Sequence, residues 1–249
     1  MGRVLDDITT FKDSLTGGAF EALAAVDGES LAIRWLGEGT RVTLLEAWGG
    51  NNTTKMDVSI RSPLLHDNTR GIRWAHMFNP TLSGADGNPQ LYLPPYWRQP
   101  YQPTDTLIVE VNGTAADDVT VSQLLCYETP NEIGGRFLGH AEVEARLKNL
   151  VGIRVSPAPH ATTSTYGTAE AINADDDRLK ANTEYALLGF TTDLPFTTLG
   201  IFGPDTGNFT IPMPGHWDES KTAGWFYDMA RRWSERLVPV INSNNKGVT

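Results

Sequence analysis

The residues best suited to acid–base or metal chemistry near neutral pH are the five histidines, His66, His76, His140, His160 and His216. No two lie within four positions of each other, so no pair can share one turn of a helix as zinc-ligating histidines do. His66 and Asp67 are adjacent, and adjacent strand side chains point to opposite faces. They read as a solvated turn. His140, Glu142 and Glu144 stand where a helix begins, and carboxylates there complement the helix dipole without any catalytic role. The chain has no GxSxG elbow, no P-loop, no GxGxxG after a strand and no HExxH. Glycoside hydrolysis needs two carboxylates a few ångströms apart across a cleft. Thirty acidic residues guarantee some such pair, so their number carries no argument. No catalytic centre is expected, and no cofactor.

Two stretches have the chemistry of binding. Asn173, Asp175, Asp177 and Glu184 fill positions one, three, five and twelve of a calcium loop with oxygen ligands. Arg178, however, stands where that loop needs glycine, and Glu184 reads as the start of a strand. A plain acidic turn is expected, and no metal site. Tyr92, Tyr96, Trp97 and Tyr101 crowd a proline-rich loop that also carries Arg98 and Gln99. Such a loop can pack internally, anchor a protein partner with little entropy loss, or stack on sugar rings.

The elements that would position these residues are mostly short strands. Gly (24) and Pro (15) recur between short apolar runs, and 40% of residues are hydrophobic against 20% charged, a globular composition rich in turns. Met56, Val58 and Ile60 alternate with Asp57 and Ser59, the mark of a half-buried strand. Strands are expected at 31–36, 41–47, 72–77, 106–111, 119–127, 184–191, 196–202 and 237–241. Residues 4–25, interrupted by Gly17-Gly18, read as a helical or irregular arm. Residues 139–151 place Val143, Leu147 and Leu150 on one helical stripe. Residues 222–237 place Trp225, Met229 and Trp233 at successive fours, with Phe226 and Ala230 beside them and charges opposite. Gly203-Pro-Asp-Thr-Gly-Asn208 reads as a tight turn. The strand–acidic turn–strand pattern of 105–127 recurs at 184–202, which fits two β-sandwich units of related design.

With 20 basic and 30 acidic residues, a formal charge of −10 and a pI near 4.9, the chain repels phosphate backbones, so direct nucleic-acid binding is not expected. The lone Cys126 excludes an intrachain disulfide and reads as a buried thiol. The N-terminus lacks a signal-peptide core and no apolar run is long enough to span a membrane, so synthesis in the cytoplasm is expected.

Tyr185-Ala-Leu-Leu-Gly-Phe190, the Gly203–Asn208 turn, the Trp225–Trp233 helix and Val238-Pro-Val-Ile-Asn-Ser243 resemble segments of structural proteins of bacterial viruses. The resemblance implies a mainly β, jelly-roll-like antiparallel sandwich, and two stacked copies of it are compatible with the pattern. It implies an N-terminal arm (1–29), a first sandwich unit (30–130) and a second with two helices (131–249). The function implied is that of a capsid shell or decoration subunit, non-enzymatic and located in the virion. Its partners would be copies of itself and other virion proteins, met through the arm, the aromatic loop (Tyr92, Tyr96, Trp97, Tyr101) and the aromatic helix (Trp225, Trp233). The alternatives are a carbohydrate-binding β-sandwich module and, behind it, a glycoside hydrolase.

Overall fold

The computed structural model describes residues 2–51, 56–65, 69, 71–76, 99–113, 118–131, 134–156, 164–172, 179–191, 198–214 and 223–243. The first half contributes β1 (Gly2–Lys12), β2 (Glu21–Ala22), β3 (Ala24–Ala25), β4 (Arg41–Asn51), β5 (Met56–Arg61), β6 (Ile72–His76), β7 (Gln99–Tyr101), β8 (Ile108–Gly113) and β9 (Val119–Thr129). They form a five-stranded sheet in the order β3-β1-β9-β4-β7 and a four-stranded sheet in the order β2-β8-β5-β6, with every pairing antiparallel.

The two sheets are held together by their facing apolar side chains. Val4, Ile8, Val42, Leu44, Val121, Leu125 and Tyr127 of the larger sheet share one core with Val58, Ile60, Val109 and Val111 of the smaller. The alternation read in β5 is the inward face of this core. The larger sheet is buried on its other face as well. There Leu5, Trp48, Leu124 and Cys126 join a second core built with the C-terminal half. A sheet covered on both sides loses its in–out polarity pattern, and nearly every residue of β9 is accordingly buried.

β1 corrects the expectation of a helical or irregular arm. All eleven of its residues pair with β9, from Gly2 opposite Thr129 to Lys12 opposite Val119, and Val4 and Leu5 are fully buried on opposite faces. Residues 31–36, expected as a strand, form no strand: their one ladder bridge is Ala32 to Thr106, and the segment is held instead by backbone bonds to residues 104–107, by the buried Ile33 and by Arg34 on Asp6 and the Tyr127 hydroxyl. A bulge in β4 between Leu44 and Glu46 shifts the register against β9. Leu44 faces the sheet–sheet core and Leu45 the second core by ordinary alternation, and the extra residue returns Ala47, three positions after Leu44, to the sheet–sheet core and sends Trp48 to the second.

The second half contributes β10 (Phe137–Leu138), α1 (His140–Arg146), β11 (Glu184–Ala186), β12 (Thr198–Ile201), β13 (Ile211–Pro214), α2 (Trp225–Trp233) and β14 (Val238–Asn242). Its described strands form a three-stranded sheet, β10-β14-β11, and a β12-β13 hairpin. The described strands of the second half form smaller sheets than those of the first, and in each of the stretches 105–127 and 184–202 the two successive strands, β8 and β9 and then β11 and β12, fall in different sheets.

α2 has the amphipathic face expected of it: Trp225, Phe226, Met229, Ala230 and Trp233 are all buried. Trp225 meets Trp48 edge to face, with ring centroids 6.2 Å apart. Arg232 on α2 forms an ion pair with the buried Glu46 of the β4 bulge. α1 is shorter than expected. It ends at Arg146, where Leu147 turns to extended backbone, and of the expected stripe only Val143 is buried. The 203–208 turn is as expected, and its seat requires glycine. Gly207 has φ 73°, and a Cβ there would come within 2.8 Å of the Gly134 backbone. No helix among the described residues is long and apolar enough to cross a membrane.

Candidate functional site

The feature with most chemical potential lies on the outer face of the five-stranded sheet, where β1, β9 and β4 run side by side. Thr9 is opposite Ser122, which is in turn opposite Trp48, so one row of the ladder presents two hydroxyls and an indole to the second half. Thr198, at the start of β12, closes over this row. Its hydroxyl lies 2.6 Å from Ser122 Oγ, and Trp48 Nε1 donates to Thr198 Oγ1 at 3.3 Å. Ser122 Oγ is 3.1 Å from Thr9 Oγ1, which donates to Asp7 Oδ2 at 2.9 Å. The Tyr166 hydroxyl donates to the same carboxylate oxygen at 2.9 Å and lies 3.1 Å from Thr9 Oγ1. Tyr166 is carried by the 164–172 segment, which Asp27 ties down: Asp27 N donates to Ser164 O at 2.8 Å, and Tyr166 N donates to Asp27 Oδ2 at 3.3 Å.

Asp7 is where this hydroxyl chain ends. Burial pushes its carboxyl up to about 6, against the pull of the Thr9 and Tyr166 hydroxyls. Its neighbour Asp6 points to the opposite face of β1, towards the sheet–sheet core. Burial pushes that carboxyl up to about 7, although Arg34 Nε lies 3.0 Å from Asp6 Oδ2. The hydroxyl row borders a groove of about 2110 Å³ between the sheet and the second half, with Thr9, Tyr166 and Thr198 on its wall. Along the same groove Leu147 (57% exposed), Leu150 (79%), Val151 and Phe202 are left open to solvent.

The network is a relay of hydroxyls onto one carboxyl, and each hydroxyl in it already has a protein partner. Among the described residues, no three His, Cys, Asp or Glu side chains come together as a metal set. The arrangement can hold a proton and fix the second half in register on the sheet. Asp6, Asp7, Thr9 and Tyr166 are not legible as a site in the sequence. The only signal is a polar run, Asp6-Asp7-Ile8-Thr9-Thr10, inside an otherwise apolar segment.

The residues singled out from the sequence fall elsewhere. Tyr92, Tyr96 and Trp97 of the aromatic loop lie outside the described residues. Tyr101 is buried in β7 and its hydroxyl donates to Gln123 Oε1 at 3.0 Å. Trp225 and Trp233 are buried against the chain's own sheet, so their areas hold α2 down and are not offered to a neighbouring copy. Asn173, Asp175 and Asp177 also lie outside the described residues. Glu184 is exposed at the start of β11 and paired with Arg136. Cys126 is buried in β9, as expected.

Comparison with protein-family models, with curated proteins and with solved structures finds no match to this chain.

Proposed function

We propose that this chain is a non-catalytic structural subunit of a virus particle, a jelly-roll sandwich that associates with copies of itself and with other virion proteins. The observation that carries the reading is the pairing scheme of the first half. With the two-residue β3 set aside, β1 pairs with β9, β2 with β8, β4 with β7 and β5 with β6. The partners are nested, as in one long hairpin whose tip is the β5–β6 turn. Alternate pairs lie in opposite sheets, and β9–β4 and β8–β5 contacts complete the two sheets. A hairpin rolled in this way is the plan of a jelly roll, an architecture used by viral shells.

The exposed Leu147, Leu150, Val151 and Phe202 supply an apolar contact surface of the kind that marks protein association. With β1 built into the sheet and Trp225 and Trp233 buried, this surface takes the assembly role first expected of the arm and the aromatic helix. The net charge of −10 favours contacts with protein over packaging of a genome. Sedimentation velocity and electron microscopy of the native chain test the proposal together. Large oligomers or closed particles are the expected result. A strictly monomeric protein at high concentration, absent from purified particles, would sink it.

A further inference from the structure

We propose that Trp35 is the stacking platform of a saccharide-binding site at one end of the sandwich, separate from the surface assigned to assembly. Trp35 is 63% exposed, whereas Trp48, Trp225 and Trp233 are all buried. It borders a depression of about 450 Å³ whose other walls are Glu38, Thr40, Pro103, Thr104 and two glycines. The depression is shallow and open to solvent, so it offers a face on which a ligand can stack. Glu38 and Thr104 are exposed at the rim.

The platform is held in one shape before any ligand arrives. Ile33 N donates to Asp105 O at 2.7 Å, and Thr104 N donates to Ile33 O at 2.8 Å, locking the Trp35 and Thr104 segments together. Arg34 N donates to the Tyr127 hydroxyl at 3.2 Å, and the Arg34 side chain is tied to Asp6. The Thr40 hydroxyl donates to Gly37 O at 2.6 Å, closing the turn. Gly37 sits at φ 117°, and a Cβ there would come within 2.8 Å of Asn131 Nδ2. Thr104, a β-branched residue, is held at φ 69°, in the left-handed region. Backbone strain of this kind persists only where the surroundings enforce it, and it gathers at binding sites. A large apolar side chain presented on a fixed loop loses little entropy on binding, which favours capture of a ligand.

The chemistry around the indole selects the ligand class. A pyranose ring presents a face of C–H groups that packs on an indole, while its equatorial hydroxyls spread around the rim. There the Glu38 carboxylate can accept two of them, and the Thr104 hydroxyl can bond a third. A quaternary ammonium needs a cage of several aromatic rings, and among the described residues Trp35 is the one aromatic side chain lining this depression. A stable protein partner needs roughly 800 Å² per side, more than a depression of seven residues provides.

The test follows tryptophan fluorescence of the full chain, which assembly does not obscure, during separate titrations with lactose, cellobiose, maltose and diacetylchitobiose. The Trp35 signal is assigned by its loss in Trp35→Phe. At least one of the four sugars is expected to move that signal saturably, with a Kd of about 1 mM. Calorimetric titration of the same sugar should then show binding at least ~10-fold weaker in Trp35→Ala and ~3-fold weaker in Glu38→Gln. Both side chains are exposed, and an unchanged circular dichroism spectrum establishes that the variants fold. The proposal is overturned if none of the four sugars moves the Trp35 signal, or if binding survives Trp35→Ala intact. It is equally overturned if the signal moves with protein concentration alone, which would make the surface a contact between copies.

Discussion

Adjacent residues on a strand between two layers face different surroundings, and Asp6 and Asp7, one on each face of β1, both shape the pH response. Burial holds their carboxyls at about 7 and about 6, against an ordinary 3.8 in the unfolded chain. Between about pH 4 and 7 the folded protein therefore binds more protons than the unfolded one, and stability falls as pH rises through that window. Below it the sign reverses. The Thr16 hydroxyl, with help from Lys12, holds Glu21 down to about 2, so its contribution is present above pH 4.5 and lost on acidification. Thermal melts from pH 3 to 8 should thus peak near the acidic end of that range. Asp7→Asn keeps an acceptor for Tyr166 and Thr9, and it should flatten the decline on the alkaline side. An unchanged slope in that variant would remove Asp7 from the explanation. Thr104 offers a second residue-scale test. Asparagine tolerates the left-handed region better than a β-branched side chain, so Thr104→Asn should raise stability by about 0.5–1 kcal/mol, read from urea unfolding.

At the scale of elements, β5, β9 and α2 are legible in the sequence while β1 reads as an arm, and the number of buried faces explains the difference. β5 shows two-residue alternation because Val58 and Ile60 meet the core while the other face carries polar side chains, Asp57 open to solvent and Ser59 buried. α2 shows its helical stripe because only one side packs on the sheet. β9 stands out as a continuous apolar run. β1 has neither alternation nor a continuous apolar run, because both its faces are covered and polar side chains fill part of each: Asp6 beside Arg34, and Asp7 and Thr9 beneath Tyr166. Their partners come from distant segments, which local periodicity cannot see. α1 departs from its sequence pattern in the opposite way, since Leu147 and Leu150 keep helical spacing with nothing to pack against. Since β1 pairs with β9 along its whole length and is buried on both faces, deleting residues 2–12 should leave the chain insoluble or unfolded by near-ultraviolet dichroism. A folded, soluble truncation would restore the arm. The β4 bulge makes a second prediction. Arg232→Met leaves the fully buried Glu46 carboxylate without its guanidinium partner and should cost about 3–5 kcal/mol, whereas combining it with Glu46→Leu should recover most of that loss. Urea unfolding of both variants separates the two outcomes.

For the whole molecule, the distribution of apolar side chains is what the proposed assembly rests on. The first half buries its aliphatic residues between two sheets, and the second half uses its aromatics to cover the remaining open face. Leu147 and Leu150 are left out of both cores. They lie on a segment after α1 that has no strand pairing among the described residues, and they border the groove between the halves. Burying a leucine side chain is worth about 1.5–3 kcal/mol, and a contact repeated around a closed assembly multiplies that gain at every copy. Replacing both with aspartate should therefore leave the melting temperature of the isolated chain nearly unchanged, because neither side chain supports the monomer fold. The same double variant should shift the sedimentation profile from large species to monomer, since each contact would now bury two unpaired carboxylates in an already acidic protein. Particles that form as readily in the Leu147→Asp, Leu150→Asp variant would place assembly on another surface. A large fall in melting temperature would instead mean that the segment serves the monomer.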